Sequence, residues 1–302
     1  MRGRKLLTIG AEIASAKLNQ AHRSQSMCHF FNSSPQSLLR KYVPSYRFIP
    51  IQACTIDRHH AQPQRLNPTS IKVLNWNVAK NNHHKIWQYD FIQIVNAFQP
   101  DLIFLQEVQF GLAAEHAIEL VDMSWNFAPN FMDAHHQAYA GVLTAAKTQS
   151  IASQAIITTD YEPVLQTPKV SLVTEYQLPH QTLLAINSHL INFVNLDKFR
   201  IQLHELETTI AQHQGAILFA GDFNTWNQAR AELLHQVADR LGLAPVWFPP
   251  HEQRKIKRFL FSPALDYIFY RGLHEKQGQA QVLDHISSSD HNPLLAEFFL
   301  GG

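Results

Sequence analysis

Between residues 71 and 299 one local pattern recurs: a short apolar run stops at a carboxylate, an amide or an imidazole. The run 71–76 leads into Asn77, and 102–105 leads into Gln106-Glu107. The run 183–187 leads into Ser188-His189, and 217–220 into Gly221-Asp222-Phe223-Asn224. The run 265–270 carries Asp266 at its start, and 294–299 is preceded by Ser289-Asp290-His291-Asn292-Pro293. Runs this short, rich in β-branched and aromatic residues, read as buried strands. Further strands are expected at 140–146, 155–159, 171–177 and 280–284. Helices are expected at 85–98, where Ile86, Tyr89, Ile92, Ile94, Val95 and Phe98 recur near helical spacing, and at 196–213 and 228–241. Strands outnumber helices without strict alternation, so the pattern predicts an α/β sandwich of sheets with helices outside, not a doubly wound parallel sheet.

Rigid strands that each end on a polar group supply what a chemical site needs. No single residue carries that reading. A lone Asp after a strand is commonly a turn or a helix cap. The adjacent pairs His59-His60, His83-His84 and His135-His136 would point to different faces of a regular element, so they are given no role. The case rests on the ordered set.

Charge divides the chain. Of its 25 basic and 24 acidic residues, residues 1–69 hold ten basic and only two acidic ones, a balance of +8. The remaining 15 basic and 22 acidic residues give the body −7. Residues 1–69 lack sustained periodicity and read as a basic, poorly ordered extension, or as sequence upstream of an initiator at Met27. Residues 70–302 read as the folded domain. A transit peptide or secretory signal is weakly supported, since no clean small-residue cleavage site follows the mildly apolar 6–16. Cys28 and Cys54 both lie in the extension; two free thiols, which fit the cytoplasm, are expected ahead of a disulfide between them. No segment approaches the roughly 18 apolar residues of a membrane span. A Gly-x-Ser-x-Gly elbow and a His-Glu-x-x-His helix are both absent, which removes the main acyl-hydrolase and zinc-peptidase readings.

In order, Asn77, Gln106-Glu107, Ser188-His189-Leu190, Gly221-Asp222-Phe223-Asn224, Leu265-Asp266-Tyr267 and Ser289-Asp290-His291 resemble the motif series of the endonuclease/exonuclease/phosphatase superfamily. That superfamily includes DNase I, exonuclease III-type AP endonucleases, neutral sphingomyelinases and inositol polyphosphate 5-phosphatases. The resemblance spans residues 71–299 and looks closest to its bacterial YafD-like branch. It implies a DNase I-like four-layer α-β-β-α sandwich of two mixed sheets and a monomeric, metal-dependent phosphoester hydrolase. Hard oxygen ligands suit Mg²⁺ or Mn²⁺. By resemblance Glu107 is the main metal ligand, with Asn77 beside it and Asp290 joining. Asp222 orients or deprotonates the attacking water, and Asn224 donates a hydrogen bond to the phosphate. His291 binds phosphate or transfers a proton, oriented by Asp266, and His189 serves the leaving oxygen. The candidate carboxylate partner of His189 is Glu175. An imidazole at 189 separates the chain from the AP endonucleases, which usually carry Tyr in that region. The chain departs from the family where Val78-Ala79-Lys80 follows Asn77, because an acidic residue is often found there.

Substrate is less constrained. An acidic body is a poor match for long duplex DNA, whose non-specific affinity comes from Lys and Arg. The dense basic run Arg254-Lys255-Ile256-Lys257-Arg258 offers Lys257 and Arg258 as phosphate contacts, or is simply a solvated loop. Trp247-Phe248 and Phe259 with Phe261 either stack on bases or fill the core. A nuclease-like phosphodiesterase is ranked first. A phospholipase or sphingomyelinase type, a small-molecule phosphatase and a non-catalytic scaffold follow it.

Overall fold

The computed structural model describes residues 43, 47–59, 65–111, 118, 120 and 122–301. All of these belong to one compact unit, Ser33–Gly302. In chain order its elements are β1 (Phe48–Pro50), β2 (Ile56–Arg58), β3 (Ile71–Asn77), α1 (Lys85–Phe98), β4 (Leu102–Gly111), β5 (Ser124–Asp133), β6 (Ala138–Ala146), β7 (Ala152–Ile157), β8 (Val170–Gln177), β9 (Thr182–His189), α2 (Leu196–Ala211), β10 (Ala216–Asp222), α3 (Gln228–Arg240), β11 (Ala244–Pro245), α4 (Pro250–Gln253), β12 (Asp266–Arg271), β13 (His274–Glu275), β14 (Gln281–Val282) and β15 (Leu294–Phe299).

Two mixed sheets form. The first has the order β1-β5-β6-β4-β3-β15-β13, with β2 also pairing β5 and β14 pairing β15; the second has the order β11-β12-β10-β9-β8-β7. Alternate residues along the central strands face opposite layers, and both faces are covered. Val73, Leu102 and Phe104 of the first sheet meet Ala185, Leu218, Ala220 and Ile268 of the second in a shared core. On the outer face, Leu74, Trp76, Ile103 and Leu105 pack with Trp87, Phe91 and Ile94 of α1. Across the molecule, Ile217, Phe219 and Phe269 pack with α2 and α3 through Phe199, Leu203, Leu206, Leu234 and Val237. The result is the four-layer α-β-β-α sandwich. Helix entry is fixed locally at α2 and α3, where the Asn195 and Asn227 side chains accept from the Lys198 and Arg230 amides.

Three expectations change. The helix 85–98 stands, but its buried stripe is Trp87, Phe91 and Ile94, while Ile86 and Tyr89 face solvent. Order starts before residue 70: β1 and β2 both pair with β5, and Arg47 makes a two-armed ion pair with Asp133. These strands are three residues each, too short to show a period. The expected free thiols are also corrected, since Cys54 is disulfide-bonded; Cys28 and the Met27 start lie outside the described residues. β5 is a ten-residue strand with no counterpart among the expected runs. Its Pro129 is accommodated at a register shift between Pro129 and Phe131, the position where a sheet tolerates proline.

Candidate active site

The parallel pairing of β9 with β10 sets Asp222 opposite His189, and the antiparallel pairing of β10 with β12 sets Asp222 opposite Asp266. Three of the expected residues therefore stand in one row at one end of the second sheet, all buried. The fourth, His291, comes from the other sheet, on the loop before β15. Its Nδ1 lies 2.8 Å from Asp266 Oδ2 and its Nε2 3.8 Å from Asp222 Oδ2. The loop is clipped to β3: the Trp76 indole donates to the His291 carbonyl at 2.8 Å, and the Ser289 hydroxyl donates to the Asn77 carbonyl at 2.7 Å. Asn77 spans the sheets, donating from Nδ2 to Asp222 Oδ2 at 2.9 Å, while its Oδ1 accepts from the Ala79 amide. Asn224 adopts a left-handed backbone, φ 50°. Its amide N–H donates to Asp222 Oδ1 at 3.0 Å and its side-chain Nδ2 to the Leu190 carbonyl at 2.8 Å.

Glu107 reaches the same place by a different device. The β4–β6 register shifts between Leu105 and Val108, and Glu107 takes φ 53° within that bulge. A bulge re-aims a side chain that regular pleating would send elsewhere. Glu107 Oε2 lies 2.7 Å from the Lys80 ammonium, and its Oε1 lies 3.7 Å from His189 Nε2. His189 Nε2 is likewise 3.7 Å from Asp222 Oδ2, so this imidazole sits between two carboxylates. Glu175 is not its partner. That residue lies opposite Leu184, accepts from the Thr182 hydroxyl at 2.5 Å and is 4.0 Å from His213 Nδ1.

Electrostatics separates the two imidazoles. Burial, reinforced by the charges of Lys169 and Lys80, pushes His189 well below its ordinary value despite Glu107. Burial would lower His291 too, but Asp266, Asp222 and Asp290 outweigh it and raise the group. One imidazole is thus held neutral and the other cationic. Burial, then the Asp266 charge, raises Asp222 above the usual carboxylate range, against the pull of His291 and of the Asn224 and Asn77 hydrogen bonds. For Glu107 burial is overcome by Lys80, with help from Lys169, and the carboxyl is held ionised well below the usual range.

The remaining expected residues sit at the rim. Asp290 is exposed and pairs with Lys257 Nζ at 3.2 Å. The exposed Arg258 donates from Nη2 to the Gln253 carbonyl at 2.7 Å. Phe248 belongs to the inter-sheet core, whereas Trp247, Phe259, Leu260 and Phe261 are exposed, Phe261 to 96%. Two cations were not among the expected site residues. Lys80 follows Asn77 in a loop, and Lys169 makes a nearly buried ion pair with Glu162 at 3.3 Å. Only the missing acid after Asn77 hinted at the first, and an isolated lysine gives no signal for the second.

Oxygen donors from Glu107 and Asn77 suit a hard divalent ion, and Glu107 is partly open, with 23% of its side chain exposed. Asp222, Asp266 and His291 also offer one atom each within 4.8 Å of one another. Within that trio His291 and Asp266 are hydrogen-bonded at 2.8 Å, whereas His291 Nε2 stands 3.8 Å from Asp222 Oδ2, too far for a hydrogen bond.

Comparison with known proteins bears on the family and the fold. The model of the Endonuclease/Exonuclease/phosphatase family matches residues 74–291. A UPF0294 protein of Vibrio campbellii is 37% identical over 246 residues, covering 79% of this chain and 81% of its own. Another from Klebsiella pneumoniae is 33% identical over 235 residues, covering 76% and 83%. Among solved structures, an endonuclease/exonuclease/phosphatase from Beutenbergia cavernae superposes with a TM-score of 0.62 at 15% identity, covering 78% of this chain and 72% of its own. D. rerio TDP2, complexed with a single-strand DNA product, gives 0.54 at 17% identity, covering 76% and 98%. With the family model spanning most of the described chain, and relatives above 30% identity along most of their length, the protein belongs to the endonuclease/exonuclease/phosphatase family.

Proposed function

We propose that the protein is a divalent-metal-dependent phosphoester hydrolase, a nuclease-like phosphodiesterase that uses Mg²⁺ or Mn²⁺. The observation that carries this reading is the in-register row His189–Asp222–Asp266 with His291 docked on Asp266. Glu107 and Asn77, with Asp290 at the rim, would hold the ion, which supplies Lewis-acid polarisation of a phosphoryl oxygen. The residues of the chain do the rest. Asp222 orients an attacking water and takes its proton, a role helped by a carboxylate raised toward working pH. His291, kept cationic by Asp266, binds a non-bridging phosphate oxygen. Asn77 and the Asn224 amide fix the rotamer of Asp222. His189, held neutral, hydrogen-bonds the leaving oxygen. Lys257 and Arg258 would meet the distal part of the substrate, with Lys257 reached through Asp290.

One observation favours a second reading, a phospholipase or sphingomyelinase type. Phe259, Leu260 and Phe261 form an exposed apolar tip directly after the basic run 254–258, a combination suited to an anionic bilayer surface. The intact polar set argues against a non-catalytic scaffold. A metal-dependent screen of single-stranded and plasmid DNA, RNA, sphingomyelin and inositol phosphates decides between them. The proposal expects turnover with Mg²⁺ or Mn²⁺ on a nucleic acid, lost in His291→Ala. Turnover confined to sphingomyelin would install the second reading, and inactivity on every substrate would favour the scaffold.

A further inference from the structure

The loop that leaves β3 is built around one ammonium. Val78 N–H donates to the Gln106 carbonyl and Lys80 N–H to the Glu107 carbonyl, both at 2.9 Å. Between them the backbone takes two successive left-handed residues, Ala79 at φ 49° and Lys80 at φ 61°. Non-glycine residues adopt that region at a cost and keep it where the surroundings over-determine it. The surroundings here are the Glu107 main chain on one side and the Asn77 side chain on the other, which accepts from the Ala79 amide at 2.9 Å. The outcome of the turn is that Lys80 Nζ lies 2.7 Å from Glu107 Oε2. Lys80 is therefore fixed to Glu107 twice, through its main chain and through its side chain, and Glu107 is itself set by a bulge.

We propose that Lys80 is a positioning residue and the resident cation of the site: its ammonium occupies Glu107 Oε2 and leaves only Oε1 for a divalent ion. The inference rests on reading Glu107 as a ligand to that ion. A lysine held this way does two things. It locks the Glu107 carboxylate in one rotamer, and it cancels part of the negative charge that an incoming ion would otherwise feel. The protein thus trades metal affinity for a fixed donor atom.

Mn²⁺ titrated calorimetrically into the substrate-free protein tests this, with circular dichroism and thermal melts to confirm folding of each variant. Lys80→Met should bind Mn²⁺ about fivefold more tightly than the unaltered protein, as release of one partly exposed ion pair would allow. Lys80→Arg, which keeps the charge, should stay within about twofold. Glu107→Gln should weaken binding in both backgrounds. Unchanged affinity in Lys80→Met, with Glu107→Gln still weakening binding, would overturn the role of Lys80 alone. Binding that is indifferent to Glu107→Gln, or absent from both the unaltered and the Lys80→Met proteins, would overturn the metal role of Glu107 and this inference with it.

Discussion

At the scale of single residues, the site depends on backbone conformations as much as on functional groups. Gly221, the residue before Asp222, has φ 150°, and a Cβ there would lie 1.9 Å from the Ser188 carbonyl oxygen on the neighbouring parallel strand. Gly221→Ala must push β9 from β10 and take Asp222 out of line with His189. We expect a loss of about 3–5 kcal/mol in urea unfolding, and a loss of less than about 1 kcal/mol would contradict the close approach. Asp133 gives a pH-dependent case. Burial would raise its carboxyl, but hydrogen bonds from Arg47 and His136 lower it to about 2. A depressed carboxylate stabilises the fold above its unfolded value, near 3.9, and that contribution fades as pH falls through about 2. Asp133→Asn should therefore be less stable at pH 7 by roughly 1.5–3 kcal/mol. The gap should close between about pH 4 and pH 2 in unfolding curves measured across that range. The polar residues that flank apolar runs, Asp222 after one and His291 before another, were legible because they bound those runs. Lys80 and Lys169 were not, since the site groups they act on, Glu107 and His189, are brought beside them only by the fold.

At the scale of elements, β3, β4, β9, β10, β12 and β15 follow from apolar runs, because strands covered on both faces need no polar alternation. β1, β2 and β5 escaped notice for physical reasons: two are only three residues long, and the third carries a proline that its bulge absorbs. The two sheets are also tied through a polar contact that no periodicity reveals. Gln106 Nε2 donates to Asn75 Oδ1 at 2.9 Å and to Asn187 Oδ1 at 2.7 Å, and Asn187 Nδ2 donates to the Leu105 and Leu143 carbonyls. All three side chains are buried. Gln106→Leu strands two buried acceptors, so we expect a loss of about 2–4 kcal/mol. Since Gln106 precedes Glu107, Mn²⁺ affinity should weaken as well. Wild-type unfolding midpoints for this variant would show that the network carries no stability.

At the scale of the whole molecule, the division into a basic extension and an acidic body does not coincide with the division into structure. β1 and β2, which lie within residues 1–69, both pair with β5, and Arg47 anchors to Asp133. A chain starting at Ser70 would leave β5 as an unpaired edge, a recognised route to aggregation. It should melt several degrees lower than a chain starting at Val43 and associate as its concentration rises in light scattering. Equal melting and a monodisperse solution would show β1 and β2 to be dispensable. The acidic body, meanwhile, is a poor electrostatic match for long duplex DNA. The account as a whole stands on Asp222 and His291 acting on a phosphoester. Its most direct test is hydrolysis of bis-p-nitrophenyl phosphate with Mn²⁺ by the unaltered protein, Asp222→Asn and His291→Gln. Turnover abolished by EDTA, and reduced about 10²- to 10⁴-fold in each variant, is the predicted result; turnover that survives EDTA or either substitution would contradict it.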